Sequence, residues 1–204
     1  MTGRTAKSGN QSQRGRLRIV AGIWRSRLLE IADVPGLRPT AERVRETVFN
    51  WLTPHLAGAR CLDLFAGTGA LGLEALSRGA AEALFIEASP VAARMLRKNI
   101  ATLEAKKATV RATDARKYLG KSGADQFDIV FLDPPFADEL LGDLCKILAE
   151  SSILATNALV YIEEDRATPE VVLPPDWQIL KTKSAGNVRY SLVKPANKSK
   201  GVIE

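Results

Sequence analysis

Apolar and polar positions along this chain change period several times, and the changes mark out its elements. Two short alternating runs at 17–20 and 28–31 flank Gly22-Ile23-Trp24-Arg25, which predicts two strands joined by a turn. After Arg38-Pro39-Thr40 the period becomes helical. Val44, Val48, Trp51 and Leu52 share one face, with Thr40 as the expected N-cap and Pro54 as the expected stop. From residue 59 strand-length apolar runs alternate with helical stripes. Strands are predicted over 60–65, 83–87, 108–112, 127–132 and 158–163. Helices are predicted over 70–78, after Ser89-Pro90 with a stripe of Ala92, Leu96, Ile100 and Leu103, near 115–120, and over 138–149. The run Phe-Asp-Ile-Val-Phe-Leu at 127–132 has the composition of a central parallel strand covered on both faces. The last two runs, 177–183 and 188–193, flank Ser184-Ala185-Gly186-Asn187 and read as a hairpin. The expected class is α/β: a doubly wound, mostly parallel sheet with a C-terminal antiparallel hairpin and a small N-terminal strand/helix extension.

Composition changes this picture only at the ends. The chain has 204 residues, 46% hydrophobic and 25% charged, which fits one domain over 16–196 (extension 16–56, core 57–196). The net charge is +6, and Arg4, Lys7, Arg14, Arg16, Arg18, Arg25 and Arg27 all precede the first acid, Glu30. A basic arm favours a polyanionic partner through counterion release. For residues 1–15, rich in Gly, Ser and Gln, a solvated flexible arm accounts equally well, and 197–204 reads as a tail. Cys61 and Cys145 sit in apolar patterns as small core residues. The lone His55 has no partner, so no metal site is expected. No apolar run is long enough for a signal peptide or a bilayer span, so a cytoplasmic protein without membrane contact is expected.

Candidate chemistry begins at Cys61-Leu62-Asp63-Leu64-Phe65-Ala66-Gly67-Thr68-Gly69-Ala70-Leu71-Gly72. Gly67, Gly69 and Gly72 satisfy G-x-G-x-x-G between a strand and a helix, and Glu87 ends the next strand. That pattern is also a dinucleotide fingerprint, so NAD enters as an alternative. Asp63, four residues before Gly67, shifts the balance: its charge would oppose a pyrophosphate and attract an ammonium. S-adenosylmethionine carries an ammonium and a sulfonium and no phosphate. Asp63, Glu87 for the ribose hydroxyls and Asp114 for the adenine amine fit it as a set. Turn capping is the competing role for Asp63, and helix N-capping for Asp114.

Asp133-Pro134-Pro135-Phe136 closes the strand over 127–132. The exocyclic amine of a base is a poor nucleophile, because its lone pair is delocalised into the ring. Acceptors on both N–H bonds favour a pyramidal nitrogen and stabilise the charge it acquires. The Asp133 carboxylate and the Pro134 carbonyl are such acceptors, Pro135 stiffens the path, and Phe136 offers a stacking face. As an isolated tetrapeptide the string is a strand-terminating turn. Ligands of such sheets, however, bind outside the carboxyl ends of the strands, where both motifs fall.

These residues resemble the Rossmann-like, S-adenosylmethionine-dependent methyltransferases of exocyclic amines, and more closely the bacterial RsmD family of small-subunit rRNA guanine-N2 methyltransferases. The likeness spans about residues 16–195. It is carried by Arg38-Pro39-Thr40 with Arg43-Val44-Arg45-Glu46, by Asp63 to Gly69, by Phe85-Ile86-Glu87 and by Asp133 to Phe136. It implies Asp63, Gly67 and Gly69 at the methionine end, with Phe65, Thr68 and Thr40 in the same cofactor set. It places Glu87 at the ribose, Asp114 with Ala115 at the adenine, and Asp133, Pro134, Pro135 and Phe136 at the target amine. Arg38, Arg43 and Arg45 would face the cofactor carboxylate or the RNA. Trp24 with Arg25, in a basic turn, is read as facing RNA, and Trp51 as core. The implied partner is 16S rRNA within an assembled small subunit, met by a monomer. The Asp-Pro-Pro-Phe string leaves adenine N6 open as a target, and a non-catalytic RNA-binding module is a further alternative.

Overall fold

Each of the five predicted strand runs between residues 60 and 163 finds a parallel neighbour, and the apolar alternation decides which face of the sheet each side chain takes. The computed structural model describes residues 15–35, 37, 39–121, 125–135 and 140–196. The arm over 1–14, the tail over 197–204, Arg38 and Phe136 lie outside the described residues.

β1 (Arg16–Arg18) and β2 (Leu28–Glu30) form a two-stranded antiparallel ribbon, followed by α1 (Glu42–Leu56). The core then runs β3 (Arg60–Asp63), α2 (Ala70–Ser77), β4 (Glu82–Glu87), α3 (Pro90–Thr102), β5 (Ala108–Ala112), α4 (Ala115–Leu119), β6 (Phe127–Leu132), α5 (Leu141–Glu150) and β7 (Leu154–Asp165). It ends in the hairpin β8 (Gln178–Ala185) and β9 (Val188–Lys194). The seven-stranded sheet has the order β5-β4-β3-β6-β7-β9-β8. Strands β3 to β7 are mutually parallel, and β9 runs antiparallel to both β7 and β8. This is the expected class.

Alternation sorts the core into two layers. Cys61, Phe85, Ile129, Phe131 and Tyr161 point to one face, against α1, α2, Leu96 of α3 and the β1–β2 ribbon. Leu62, Leu84, Ile86, Val130, Leu132 and Ile162 point to the other, against α4 and α5, where Cys145 is also buried. Trp51 is half-buried and stacks on Tyr190 with ring centroids 5.6 Å apart.

Three local expectations fail for physical reasons. Pro54 lies inside α1. It removes one N–H on the exposed side of the last turn, where the carbonyl left over is open to solvent, so the helix continues to Leu56. Thr40 is not the N-cap: Ala41 occupies that position without a side-chain cap, because the Thr40 hydroxyl is turned towards Asp133. β7 starts at Leu154 rather than 158, through a register shift at which Asn157 adopts φ 65°. The polar pair Thr156-Asn157 hides that continuity in the sequence.

The extension is tied down by one buried carboxylate. Glu74, on α2 and fully buried, accepts from Val20 N at 2.8 Å and Ala21 N at 2.9 Å. It also pairs with Arg45 at 3.1 Å and Arg78 at 2.8 Å. Arg45, 1% exposed, spends its remaining donors on Arg18 O at 2.8 Å and Thr40 O at 3.1 Å. The expected substrate-facing Arg45 is therefore an internal clamp that holds the ribbon, α1 and the Thr40 backbone together.

Candidate active site

The first motif is built where β3 ends. The chain leaves Asp63, turns through Gly67 and Gly69, and enters α2 with Gly69 as N-cap at φ 79°, a conformation that strains any residue with a Cβ. Gly72 lies so close to Phe85 that a Cβ would approach its ring to 2.3 Å, so glycine sets how tightly α2 packs on β4. The Asp63 carboxylate, 3% exposed, accepts from Gly72 N at 3.1 Å and thereby pins the first turn of α2. Burial pushes its carboxyl up to about 7, with the neighbouring Glu87 adding to the shift and the Gly72 hydrogen bond opposing it. Glu87 accepts from Gly67 N and from Ser89 N, each at 2.7 Å, so it shapes both the glycine turn and the entry to α3. Thr68 is buried and Phe65 half-buried beside this turn.

The second motif sits one strand away. Asp133 follows β6, with Pro134 buried behind it and Pro135 exposed. Thr40 Oγ1 donates to Asp133 Oδ2 at 3.4 Å. Burial first, then the charges of Glu163 and Asp63, push the Asp133 carboxyl well above the usual carboxylate range. Glu163, which the motif search passed over, ends the apolar stretch of β7 at 4% exposure and accepts from Tyr161 Oη at 2.6 Å. Its carboxyl is also raised, by burial, with hydrogen bonds from Tyr161 and Thr40 working against the shift.

Register explains why these acids meet. Asp63 pairs with Phe85 of β4 and with Phe131 of β6, and Phe131 pairs with Tyr161 of β7. Glu87, Asp133 and Glu163 each lie two residues beyond those partners, on the same face. Across β4, β3, β6 and β7 the sheet therefore carries Glu87, Asp63, Asp133 and Glu163 along one edge, with Asp63 one step deeper. Among the described residues none of the four takes part in an ion pair with Lys or Arg. Such an edge favours a ligand carrying positive charge and disfavours a pyrophosphate, which would add like charge beside Asp63 and Glu87. Among the described residues no cluster of His, Cys, Asp or Glu is arranged to hold a metal ion.

The remaining expected residues divide. Asp114 follows β5, the neighbour of β4, and is the N-cap of α4, one oxygen accepting from Lys117 N at 3.0 Å, with Ala115, the first residue of that helix, buried behind it. Arg43 is exposed on the first turn of α1, three residues from Thr40. Trp24 and Arg25 are not brought to this edge. Their turn docks on the far end of α2, where Ile23 N donates to Ser77 O at 2.8 Å and Trp24 N to Ser77 Oγ at 3.0 Å. Since α2 runs back from the carboxyl edge of the sheet, that turn lies at the opposite edge, and Trp24 is half-buried there. Among the described residues no helix is long and apolar enough to cross a membrane.

Comparison with known proteins agrees with this geometry. The chain is 46% identical over 186 residues to the ribosomal RNA small subunit methyltransferase D of Escherichia coli, covering 91% of this chain and 93% of that protein. It is 42% identical to the Haemophilus influenzae protein of the same name, over 88% of this chain and 94% of that one. The solved structure of the E. coli protein yhhF superposes with a TM-score of 0.82 at 43% identity, covering 89% of this chain and 98% of that one. A family model described as Conserved hypothetical protein 95 matches residues 17–194, and the chain belongs to that family, the RsmD family.

Proposed function

We propose that this protein methylates the exocyclic N2 amine of a guanine in 16S rRNA, with S-adenosylmethionine as donor, acting as a monomer on the assembled small subunit. The observation that carries the reading is the edge of four carboxylates, Glu87, Asp63, Asp133 and Glu163, without a cationic partner among the described residues. The relatives named as small-subunit rRNA methyltransferases support the class of RNA. Bound in this cleft, the donor supplies a methyl carbon already activated by the sulfonium, so the protein's task is orientation and charge compensation. Asp63 takes the amino-acid ammonium, and Glu87 takes the ribose hydroxyls while keeping the glycine turn closed. Asp114, with one oxygen committed to Lys117 N, keeps the other for the adenine amine.

A guanine rotated out of its stack exposes the amine to Asp133 and the Pro134 carbonyl. Both accept N–H bonds, which localises the nitrogen lone pair towards the methyl carbon. Asp133 then compensates the positive charge on nitrogen and receives the proton. Arg43, exposed on the first turn of α1, contacts the RNA backbone in this reading.

The test is methylation of small subunits from cells lacking this protein, with an isotopically labelled donor and nucleoside mapping. The reading expects one labelled N2-methylguanosine, lost with Asp133→Ala. Labelled N6-methyladenosine, or no labelled nucleoside, would overturn it.

A further inference from the structure

Glu163 is a buried acid for which the motif chemistry has no role. Two other buried acids are matched by cations: Glu74 holds Arg45 and Arg78, and Glu164, the next residue along β7, pairs with Arg189 at 2.8 Å. Glu163 instead receives the hydroxyl of Tyr161, itself fully buried, at 2.6 Å. It stands next to Asp133 in the continuation of the Phe131–Tyr161 and Leu132–Ile162 pairs, roughly one strand spacing (about 4.8 Å) away. Thr40, whose hydroxyl donates to Asp133 at 3.4 Å, lies between the two carboxylates, and its backbone is fixed by Arg45.

We propose that Glu163 is a positioning residue that forms a carboxylate pair with Asp133 and makes Asp133 the acceptor of the proton released when the target amine is methylated. The inference rests on the reading that Asp133 holds that amine.

The charges around Glu163 define its part. Tyr161 faces it from its own strand, Tyr190 lies opposite on β9, Asp133 and Asp63 lie towards β6 and β3, and Thr40 precedes α1. Arg45, linked to the group through the Thr40 backbone, is committed to Glu74, Arg18 O and Thr40 O. The short hydrogen bond from Tyr161 favours the ionised form of Glu163. Asp133 has Thr40 alone and meets the charge of Glu163, so it is the member on which a proton settles. In the step itself the amine nitrogen bonds to the methyl carbon, and the sulfur–methyl bond breaks with its electron pair left on sulfur. Binding of the cationic donor first drives the resting proton of Asp133 to solvent; the N–H proton then passes to the ionised Asp133 carboxylate, and to solvent in turn as product leaves. A neighbouring negative charge strengthens that base at the moment it is needed.

The experiment compares Glu163→Gln with the unaltered protein in two readouts: kcat and KM across pH, and the side-chain carbon NMR titration of Asp133 in the ligand-free protein. Glutamine keeps an acceptor for Tyr161 but removes the charge. The expected result is a kcat lower by roughly 10- to 100-fold with little change in KM for the donor. The acid limb and the Asp133 midpoint should both move to lower pH, and Glu163→Asp should restore part of kcat. Tyr161→Phe, which removes the donor that keeps Glu163 ionised, should shift the shared proton towards Glu163 and move the Asp133 midpoint downward.

An unchanged kcat and acid limb in Glu163→Gln, or an unmoved Asp133 midpoint, would overturn the proposal. Asp133→Ala separates the two readings. If it is inactive while Glu163→Gln behaves normally, only this inference fails. If it stays active, the reading of Asp133 fails as well.

Discussion

Glu74 and the edge formed by Glu87, Asp63, Asp133 and Glu163 set carboxylates on the same side of the same sheet, with opposite electrostatics. Glu74 is enclosed by two guanidiniums and two backbone N–H groups, and every one of those partners belongs to the chain. The four strand-end acids receive hydroxyl and backbone donors, but no described cation. A buried carboxylate with internal cations stabilises a fold, because removing either partner leaves an uncompensated charge. Without them, burial pushes the carboxyls of Asp63, Asp133 and Glu163 upward, and the edge waits for charge from outside. Arg45 joins the two regions, reaching Glu74 with one nitrogen and the carbonyl of Thr40 with another.

The contrast is sharpened by breaking each region in turn. The largest effect is expected at the edge: Asp133→Ala should lower methylation by 10²-fold or more, on the order of a lost acid–base and electrostatic contribution. RNA binding, followed by filter retention or fluorescence anisotropy, should persist. Next comes the clamp. Arg45→Met leaves Glu74 buried with only Arg78, and should cost about 3 kcal/mol in denaturant unfolding. It should also lower kcat by loosening Thr40.

Asp63→Asn should do the reverse of the clamp variant. It should weaken donor binding by about 10- to 100-fold, the worth of a charge-assisted hydrogen bond, yet stabilise the ligand-free protein at alkaline pH. The sign follows from linkage. Asp63 has a folded pKa of about 7, above its unfolded value, so its contribution is fully present below the unfolded pKa and is lost as pH rises through about 7. The Tm of the ligand-free protein should therefore fall between pH 5 and pH 8, and Asp63→Asn should flatten that fall. The smallest effect is expected at Arg189, whose pair with Glu164 ties β9 to β7 with side chains 15% and 10% exposed. Arg189→Gln should cost about 1–2 kcal/mol and leave methylation unchanged.

Most of the architecture was legible because each strand is an apolar run bounded by turn residues. β5 and β6 occupy the predicted residues, and β3 and β4 differ at their ends. Misreadings arose where a tertiary contact outweighed local preference: Thr40 gave up capping to reach Asp133, and Pro54 was tolerated in an exposed last turn. The site was legible where a motif announced it. Asp63, Glu87 and Asp133 stand at strand ends beside glycines or prolines. Glu163 also ends an apolar run, from Ala158 to Ile162, and that shared position was the available signal. Its role depends on strand order and register, which no local pattern encodes. Arg45 was hidden differently. The stripe of Val44, Val48 and Leu52 drew the apolar face too narrowly, and Phe49, fully buried one turn on, shows that the face includes position 45.

The central claim is that these carboxylates are compensated by a cationic ligand, and proton release on donor binding tests it most directly. Calorimetric titration of S-adenosylmethionine near pH 6.5, in two buffers of different ionisation enthalpy, counts the protons exchanged. An α-amino group with a pKa of about 7.7–8.0 is already charged at that pH, so the donor itself takes up little. The account predicts net proton release on binding, as Asp63 and the Asp133–Glu163 pair ionise against the incoming charge, with less release in Asp63→Asn. Binding with no proton exchange, or with proton uptake, would contradict it.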